Sequence, residues 1–130
     1  MEFKNKVLII GYGAVAKCML PILLRHVTIP LEQITIMDFK DKSADLKAWT
    51  AGGLCFVKKK VTQENLTVIL GEYLSSGGLL IDEAWNIDSC ELAQWCHDHE
   101  VLYVNTSVEA WDPDTGIETA SPYEKTLYFR

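Results

Sequence analysis

Apolar residues fall along this chain in short continuous runs set between glycine-rich and polar stretches, and strand-like runs alternate with helix-like ones. The first, Val7-Leu8-Ile9-Ile10, follows a polar start and predicts a strand over residues 7–10. After Gly11-Tyr12-Gly13 the pattern becomes helical over residues 14–26, with Val15, Cys18, Met19, Ile22 and Leu23 expected to face inward. Pro21 inside that run removes a hydrogen bond to the Lys17 carbonyl and predicts a kink. A connection over residues 28–32 leads to a second strand at 34–37. Residues 41–50 form a short helix or loop closed by Gly52-Gly53, before a third strand at 54–57. Thr62 can cap a helix over 65–73, and Gly77-Gly78 stops the chain ahead of a fourth strand at 79–82. Asp88-Ser89-Cys90-Glu91 resembles a capping box with Asp88 as the cap, opening a helix to about residue 99. A fifth strand at 102–104 precedes a polar stretch from residue 112 and a helix-like apolar-aromatic run over 123–130.

Such alternation predicts the α/β class: a doubly wound, mostly parallel sheet with helices on both faces and ligand chemistry at the carboxyl ends of the strands. At 130 residues the chain is long enough for one domain with a real core. No internal repeat or low-complexity segment interrupts it.

Within that plan the glycine turn is the informative element. Strand, Gly-x-Gly-x-x-Ala, helix, strand and acid are in the order of a dinucleotide-binding start of the Rossmann type. Gly11 permits the sharp turn, Gly13 has no Cβ to block a pyrophosphate, and Ala16 is small enough for close helix–strand packing. Phosphates are expected on the N–H groups at the helix start, around Gly11, Tyr12, Gly13, Ala14 and Val15, aided by the helix dipole. Asp38, closing the second strand, can accept hydrogen bonds from an adenosine ribose diol, which favours NAD. Lys40 and Lys42 leave room for the 2′-phosphate of NADP, which Asp38 would repel. A glycine turn that merely shapes a nucleotide-free domain is the alternative.

Composition narrows the surroundings. Apolar residues make up 48% of the chain, and no uninterrupted run is long enough to cross a bilayer. Residues 1–6 lead directly into the predicted first strand, so no signal peptide is expected there. Cys18, Cys55, Cys90 and Cys96 contain no Cys-x-x-Cys pair and are expected to be reduced and mostly buried, as in a cytoplasmic protein. A net charge of −6 argues against a nucleic-acid surface and suits cationic ligands. Lys58-Lys59-Lys60 reads as a solvated segment, with anion contact as the alternative. Cys96, His97 and His99 cannot all share one helix face and no second cluster assists them, so no metal site is expected.

Two loops gather candidate chemistry. Asp82, Glu83, Trp85, Asn86 and Asp88 follow the fourth strand; Asn105, Thr106, Ser107, Glu109, Trp111, Asp112 and Asp114 follow the fifth. Both loops should open on the same rim as the glycine turn. Carboxylates and indole faces there suit a small organic cation, through ion pairs and cation–π contact. The alternative is that Asp82 and Asp88 are turn and cap residues and the tryptophans fill core.

Gly11-Tyr12-Gly13-Ala14-Val15-Ala16, continuing into Leu20-Pro21-Ile22-Leu23 and Arg25-His26, resembles the amino-terminal segment of bacterial homospermidine synthases. So does Leu102-Tyr103-Val104-Asn105-Thr106 with Val108-Glu109-Ala110-Trp111, which is similar to that family's fifth strand and Glu-x-Trp loop. The wider relatives are saccharopine-dehydrogenase-like proteins. The resemblance spans nearly all of the chain and implies an NAD-dependent, redox-neutral aminobutyl transfer between polyamines such as putrescine and spermidine. Glu109 and Asp82 are then expected to face the nicotinamide side and hold a substrate ammonium, with Trp111 lining the pocket and Asp82 and Asn105 also near the cofactor. Family members are much longer, so residues 1–130 are expected to be the amino-terminal nucleotide domain of a longer enzyme and catalytically silent alone. Any homodimer contact is expected outside this chain. A saccharopine-type dehydrogenase with net redox turnover, or a non-catalytic NAD-binding module, remain the alternatives.

Overall fold

The computed structural model of the protein describes residues 1–111. The helix-like run over 123–130, with Asp112 and Asp114, lies outside the described residues. The elements are β1 (Val7–Ile10), α1 (Ala14–His26), a 3₁₀ turn (Leu31–Gln33), β2 (Ile34–Asp38), α2 (Lys47–Ala51), β3 (Cys55–Lys58), α3 (Leu66–Tyr73), β4 (Leu79–Asp82), α4 (Ser89–Asp98) and β5 (Leu102–Asn105). All five strands are parallel in the order β3-β2-β1-β4-β5. Strand order reverses beside β1, which makes the crevice between the loops after β1 and β4 the place where such sheets bind ligands.

The sheet is covered on both faces, which is why β1 is an unbroken apolar run instead of an alternating one. Leu8, Ile10, Met37 and Leu80 pack with α3 and α4 through Leu66, Ile69, Leu70, Leu92 and Cys96. Val7, Ile9, Ile34, Ile36 and Ile81 pack on the opposite face with Ala16 and Leu20 of α1 and with Leu46. Asp88 caps α4 as its spacing predicts, accepting from the backbone N–H of Cys90 at 2.9 Å and of Glu91 at 3.1 Å. Thr62 and Asn65 tie the entry to α3 reciprocally: Thr62 N–H donates to Asn65 Oδ1 at 2.7 Å, and Asn65 N–H to Thr62 Oγ1 at 3.4 Å.

Two expectations about burial are corrected. Helix α1 turns inward through Ala16 and Leu20, with Met19, Leu23 and Leu24 half-buried; Val15, Cys18 and Ile22 are exposed. An apolar helix offers two plausible stripes, and the close seat of Ala16 on the sheet selects the one rotated by roughly a third of a turn. Pro21 is also exposed and α1 runs through it without a break, so water can reach the Lys17 carbonyl that lacks its donor. Of the four cysteines, all reduced, only Cys96 is buried, and burial pushes its thiol up to about 11. Cys18 lies on the outward stripe of α1, Cys55 on the edge strand β3 and Cys90 in the first turn of α4.

Gly11 has φ +93°, and a Cβ there would stand 2.7 Å from the Glu83 carbonyl oxygen. Gly11→Ala is therefore expected to lose about 1–2 kcal/mol from the left-handed backbone alone, with the backbone contact adding to it. Gly71, inside α3 with nothing within 4 Å of its Cβ position, makes the control. Gly71→Ala is expected to gain about 0.5–1 kcal/mol. Chemical denaturation of both variants checks the pair; equal effects would show that Gly11 is not constrained.

Candidate functional site

Four of the five strands, β1, β3, β4 and β5, pass the ladder one residue beyond their ends, so their loops leave the sheet at nearly one level. Gly11 N–H donates to Met37 O at 2.8 Å, Glu83 N–H to Ile10 O at 2.9 Å, Lys59 N–H to Asp38 O at 2.9 Å and Thr106 N–H to Asp82 O at 3.3 Å. A cleft of about 720 Å³ opens above this edge. The glycine turn forms its floor at Gly11, Tyr12 and Gly13. One wall comes from Asp38 to Lys42 and from the loop after β3, the other from the loop after β4 and Trp111.

The floor is built for a backbone-hugging ligand. Gly13 is the N-cap of α1 with ordinary extended backbone, so its lack of a side chain is not a conformational need. A Cβ there would meet nothing within 4 Å, and the space it would enter belongs to the cleft. No side chain caps α1, and its first turn carries no acid, so N–H groups and the positive dipole end remain available to an anion. Those features fit a pyrophosphate.

Asp38 is buried and its carboxylate joins two loops: Oδ2 accepts from Tyr12 N–H and Oδ1 from Lys40 N–H, each at 2.8 Å. A carboxylate has about four lone-pair sites, so both oxygens can still accept from a diol in the cleft. Phe39 is exposed beside it, with Lys40 Nζ 5.4 Å from its ring centre. Lys40, Lys42, Lys59 and Lys60 put four ammonium groups on this wall. The two from the β3 loop were not predicted as site residues. The rule that every parallel strand delivers its loop to the same rim could have found them.

On the opposite wall, Glu83, Trp85, Asn86 and Trp111 reach the cleft. Trp85 is 78% exposed at the mouth. The remaining predicted residues lie elsewhere. Ala14 and Val15 begin α1 and are exposed outside the cleft lining. Asn105 donates from Nδ2 to the Ser107 carbonyl at 2.7 Å. Asp82 is only 3% exposed, with Oδ1 accepting from Ala84 N–H at 3.1 Å and Oδ2 from the Tyr103 hydroxyl at 3.1 Å. Glu109 is half-buried on the loop after β5, which Ser89 clamps from both sides. Glu109 N–H donates to Ser89 Oγ at 2.9 Å, and Ser89 N–H donates to the Glu109 carbonyl at 3.1 Å. Asp82, Tyr103 and Ser89 thus form a polar layer beneath the β4 and β5 loops. Burial raises the Asp82 carboxyl; the Ala84 and Tyr103 donors partly offset this, and the charge of Glu109 adds to it. Burial, then Asp82, raises the Tyr103 phenol as well.

Among the described residues no three His, Cys, Asp or Glu side chains are placed to hold a metal, and no helix is long and apolar enough to cross a membrane. Residues 7–130 match the saccharopine dehydrogenase NADP-binding domain. Over 113 residues the chain is 30% identical to a homospermidine synthase of Mesorhizobium japonicum, covering 85% of this chain and 23% of that protein. Over 125 residues it is 26% identical to a homospermidine synthase of Blastochloris viridis, covering 90% and 26%. The crystal structure of the homospermidine synthase from Legionella pneumophila in complex with NAD superimposes with a TM-score of 0.81 at 27% identity, over 95% of this chain and 26% of that one. The chain spans about a quarter of the length of these relatives.

The buried polar layer has a pH signature. A carboxyl raised in the folded state binds more protons than in the unfolded chain, so its contribution falls as pH rises from the ordinary value of 3.8 through the folded value. Asp82→Asn removes the charge; its one oxygen can still accept from Ala84 N–H, and its Nδ2 can donate to the Tyr103 hydroxyl oxygen in place of the bond that the carboxylate accepts. It is expected to melt higher than the wild type at neutral pH, with the advantage shrinking toward about pH 4. Thermal melts across that range decide; a variant less stable at every pH would show that the ionised carboxylate is itself required.

Proposed function

The chain belongs to the saccharopine dehydrogenase NADP-binding domain family, and on that premise we propose that it is the NAD-binding domain of a homospermidine synthase, serving aminobutyl transfer between polyamines. The observation that carries the nucleotide half of this proposal is the space over Gly13, open to a cleft with Asp38 on one side and Trp111 on the other. The synthase half is supported by the two relatives of that description, which together run through nearly all of the chain.

The residues divide the cofactor between them. Gly13, with Ala14 and Val15 at the start of α1, presents N–H groups to the pyrophosphate, while the N–H groups of Gly11 and Tyr12 are taken by the Met37 carbonyl and the Asp38 carboxylate and hold the turn in shape. Asp38 accepts from the adenosine ribose, and Trp111 borders the nicotinamide side. NAD supplies a reversible hydride acceptor there, which suits a transfer with no net redox change. Glu109, on a loop held by Ser89, is placed to attract a substrate ammonium from the β5 side. Asn105 shapes that same loop through Ser107. Asp82 supports it from below and acts on the substrate only through it. A net negative chain of −6 suits a polyamine dication. Any homodimer is assigned to parts of a longer protein.

A second reading, NADP in place of NAD, is favoured by Lys40, Lys42, Lys59 and Lys60 on the adenosine wall, where a 2′-phosphate would sit. Calorimetric titration separates the two. Wild type is expected to bind NAD more tightly than NADP. Gly13→Val is expected to lose NAD binding by about a hundredfold or more, since its side chain fills the pyrophosphate space. Asp38→Ala is expected to weaken NAD about tenfold or more, as for a hydrogen bond to a charged group, and to narrow the gap to NADP. Equal affinities of wild type and Gly13→Val would overturn the dinucleotide proposal. In a protein of the relatives' full length, Glu109→Gln is expected to lower putrescine turnover about ten- to a hundredfold with NAD affinity unchanged. A loss of NAD affinity at unchanged turnover would move Glu109 to the cofactor site.

A further inference from the structure

Val15, Ile22, Leu102 and Val104 are apolar side chains that are each half or more exposed, and the fold gathers all four on one side of the sheet. Leu102 stands beside Leu79, and Val104 beside Ile81, in the β4–β5 ladder. Neighbours in a ladder point to the same face, and Leu79 and Ile81 belong to the core under α1. Leu102 and Val104 therefore face the α1 side, whereas Tyr103 between them packs with the α3 and α4 core. Along α1 each residue turns by about 100°, so Val15 and Ile22 share one flank of the stripe seated through Ala16 and Leu20, with half-buried Met19 nearer the sheet. Lys17 lies on the opposite flank, where its Nζ meets Asp45 Oδ2 at 2.8 Å. Asp45 is in the connection from β2 to α2, so that ion pair marks the Lys17 flank as the β2–β3 side. Val15 and Ile22 are thereby turned toward β4 and β5. The flank of α1 and the face of β5 bound an apolar trough floored by Leu79 and Ile81.

Parallel sheets are covered on both faces, and this strip is the part of the α1 face that the described residues leave open. We propose that the trough seats one α-helix with an apolar face, carried by a later part of the longer protein to which the reading above assigns this domain. Its width fits a single helix. From β1, on which α1 sits, to β5 is two strand spacings, roughly 10 Å, and packed helices stand about 8–10 Å apart. A simple continuation of the sheet does not fill it. Crossovers from β1 to β3 lie on the α1 face and those from β3 to β5 on the other, and a right-handed connection onward from β5 stays on that other face. Two copies of the chain would each bring a net charge of −6 to a shared contact, which disfavours a second copy as the occupant. Chain length is no obstacle, since the relatives are about four times as long. Because the trough starts at Val15, a helix lying along α1 has one end at the rim of the cleft.

Thiol labelling makes the test. Ile22→Cys and Val104→Cys are placed separately in the 130-residue chain and in a protein of the relatives' full length. Maleimide labelling of each site is followed by mass spectrometry, with exposed Cys90 as the reference in the shorter chain. There both introduced thiols are expected to react as fast as Cys90. In the longer protein they are expected to react about tenfold or more slowly than in the shorter chain, as for sites reached only through local opening. Unchanged rates in the longer protein overturn the docking. Slow labelling already in the 130-residue chain overturns the occupant: protection that grows with protein concentration assigns the trough to a second copy, and protection independent of it to the chain's own residues. NAD titration of the longer protein keeps the readings apart. NAD binding with an open trough overturns the docking alone, and a covered trough without NAD binding overturns the dinucleotide reading alone. A natural gene product of only 14.7 kDa overturns the docking together with the longer enzyme.

Discussion

The glycine turn is clamped between the two strands that flank β1. On the β2 side, Gly11 N–H bonds the Met37 carbonyl and Tyr12 N–H bonds the Asp38 carboxylate. On the β4 side, Gly11 lies so close to the Glu83 carbonyl that no Cβ fits between them. Two segments far apart in the chain, the end of β2 and the start of the loop after β4, therefore hold one short turn, and that turn sets where α1 begins. Because α1 starts there, Ala16 comes down on the sheet, Leu20 follows into the core, and the helix N-terminus stands at the rim of the cleft. A side chain at Gly11 would disturb all of these, whereas one at Gly13 would disturb only what enters the cleft.

Charge along the cleft follows from which loop each strand delivers. The loops after β2 and β3 bring four lysines to one wall, and the loops after β4 and β5 bring a carboxylate and two indoles to the other. The dipole of α1 lies between them. An elongated ligand with anionic groups at its centre and different chemistry at its two ends matches this layout. The acids of the chain are not spread evenly within it. Asp38 takes two backbone donors, Asp82 one backbone donor and a phenol, and Asp88 caps α4. Burial makes a carboxylate costly without such donors, so acids that look alike in sequence separate into those that hold loops and those that face the cleft.

Much of the fold was legible because it depends on local signals of high information. The strand bounds at 7–10 and 79–82, the helix at 14–26 and the cap at Asp88 all appear where the apolar runs, Gly77-Gly78 and the capping spacing put them. The burial of α1 was less legible, since Val15, Cys18, Met19, Ile22 and Leu23 make as regular a stripe as the one that faces the sheet. The cleft was legible in part: Gly11, Gly13, Asp38 and Trp111 were placed at the rim from their positions beside strand ends. The lysines after β3 follow the same logic but are hidden in a run that usually means a solvated surface.

By itself the sequence determined the order and kind of the elements, the parallel sheet and the turn at Gly11 to Gly13. Those follow from hydrophobic period and from backbone freedom, which act over a few residues. Tertiary structure alone decided which way α1 faces, and that Asp82 lies beneath the loops while Glu83 reaches the cleft. Asp82 and Glu83 are neighbours of the same charge, and nothing in their sequence separates them. The pleat of β4, the phenol of Tyr103 on the adjacent strand and the closeness of Gly11 do, because partner supply and solvent access are properties of packed strands and not of chain neighbours.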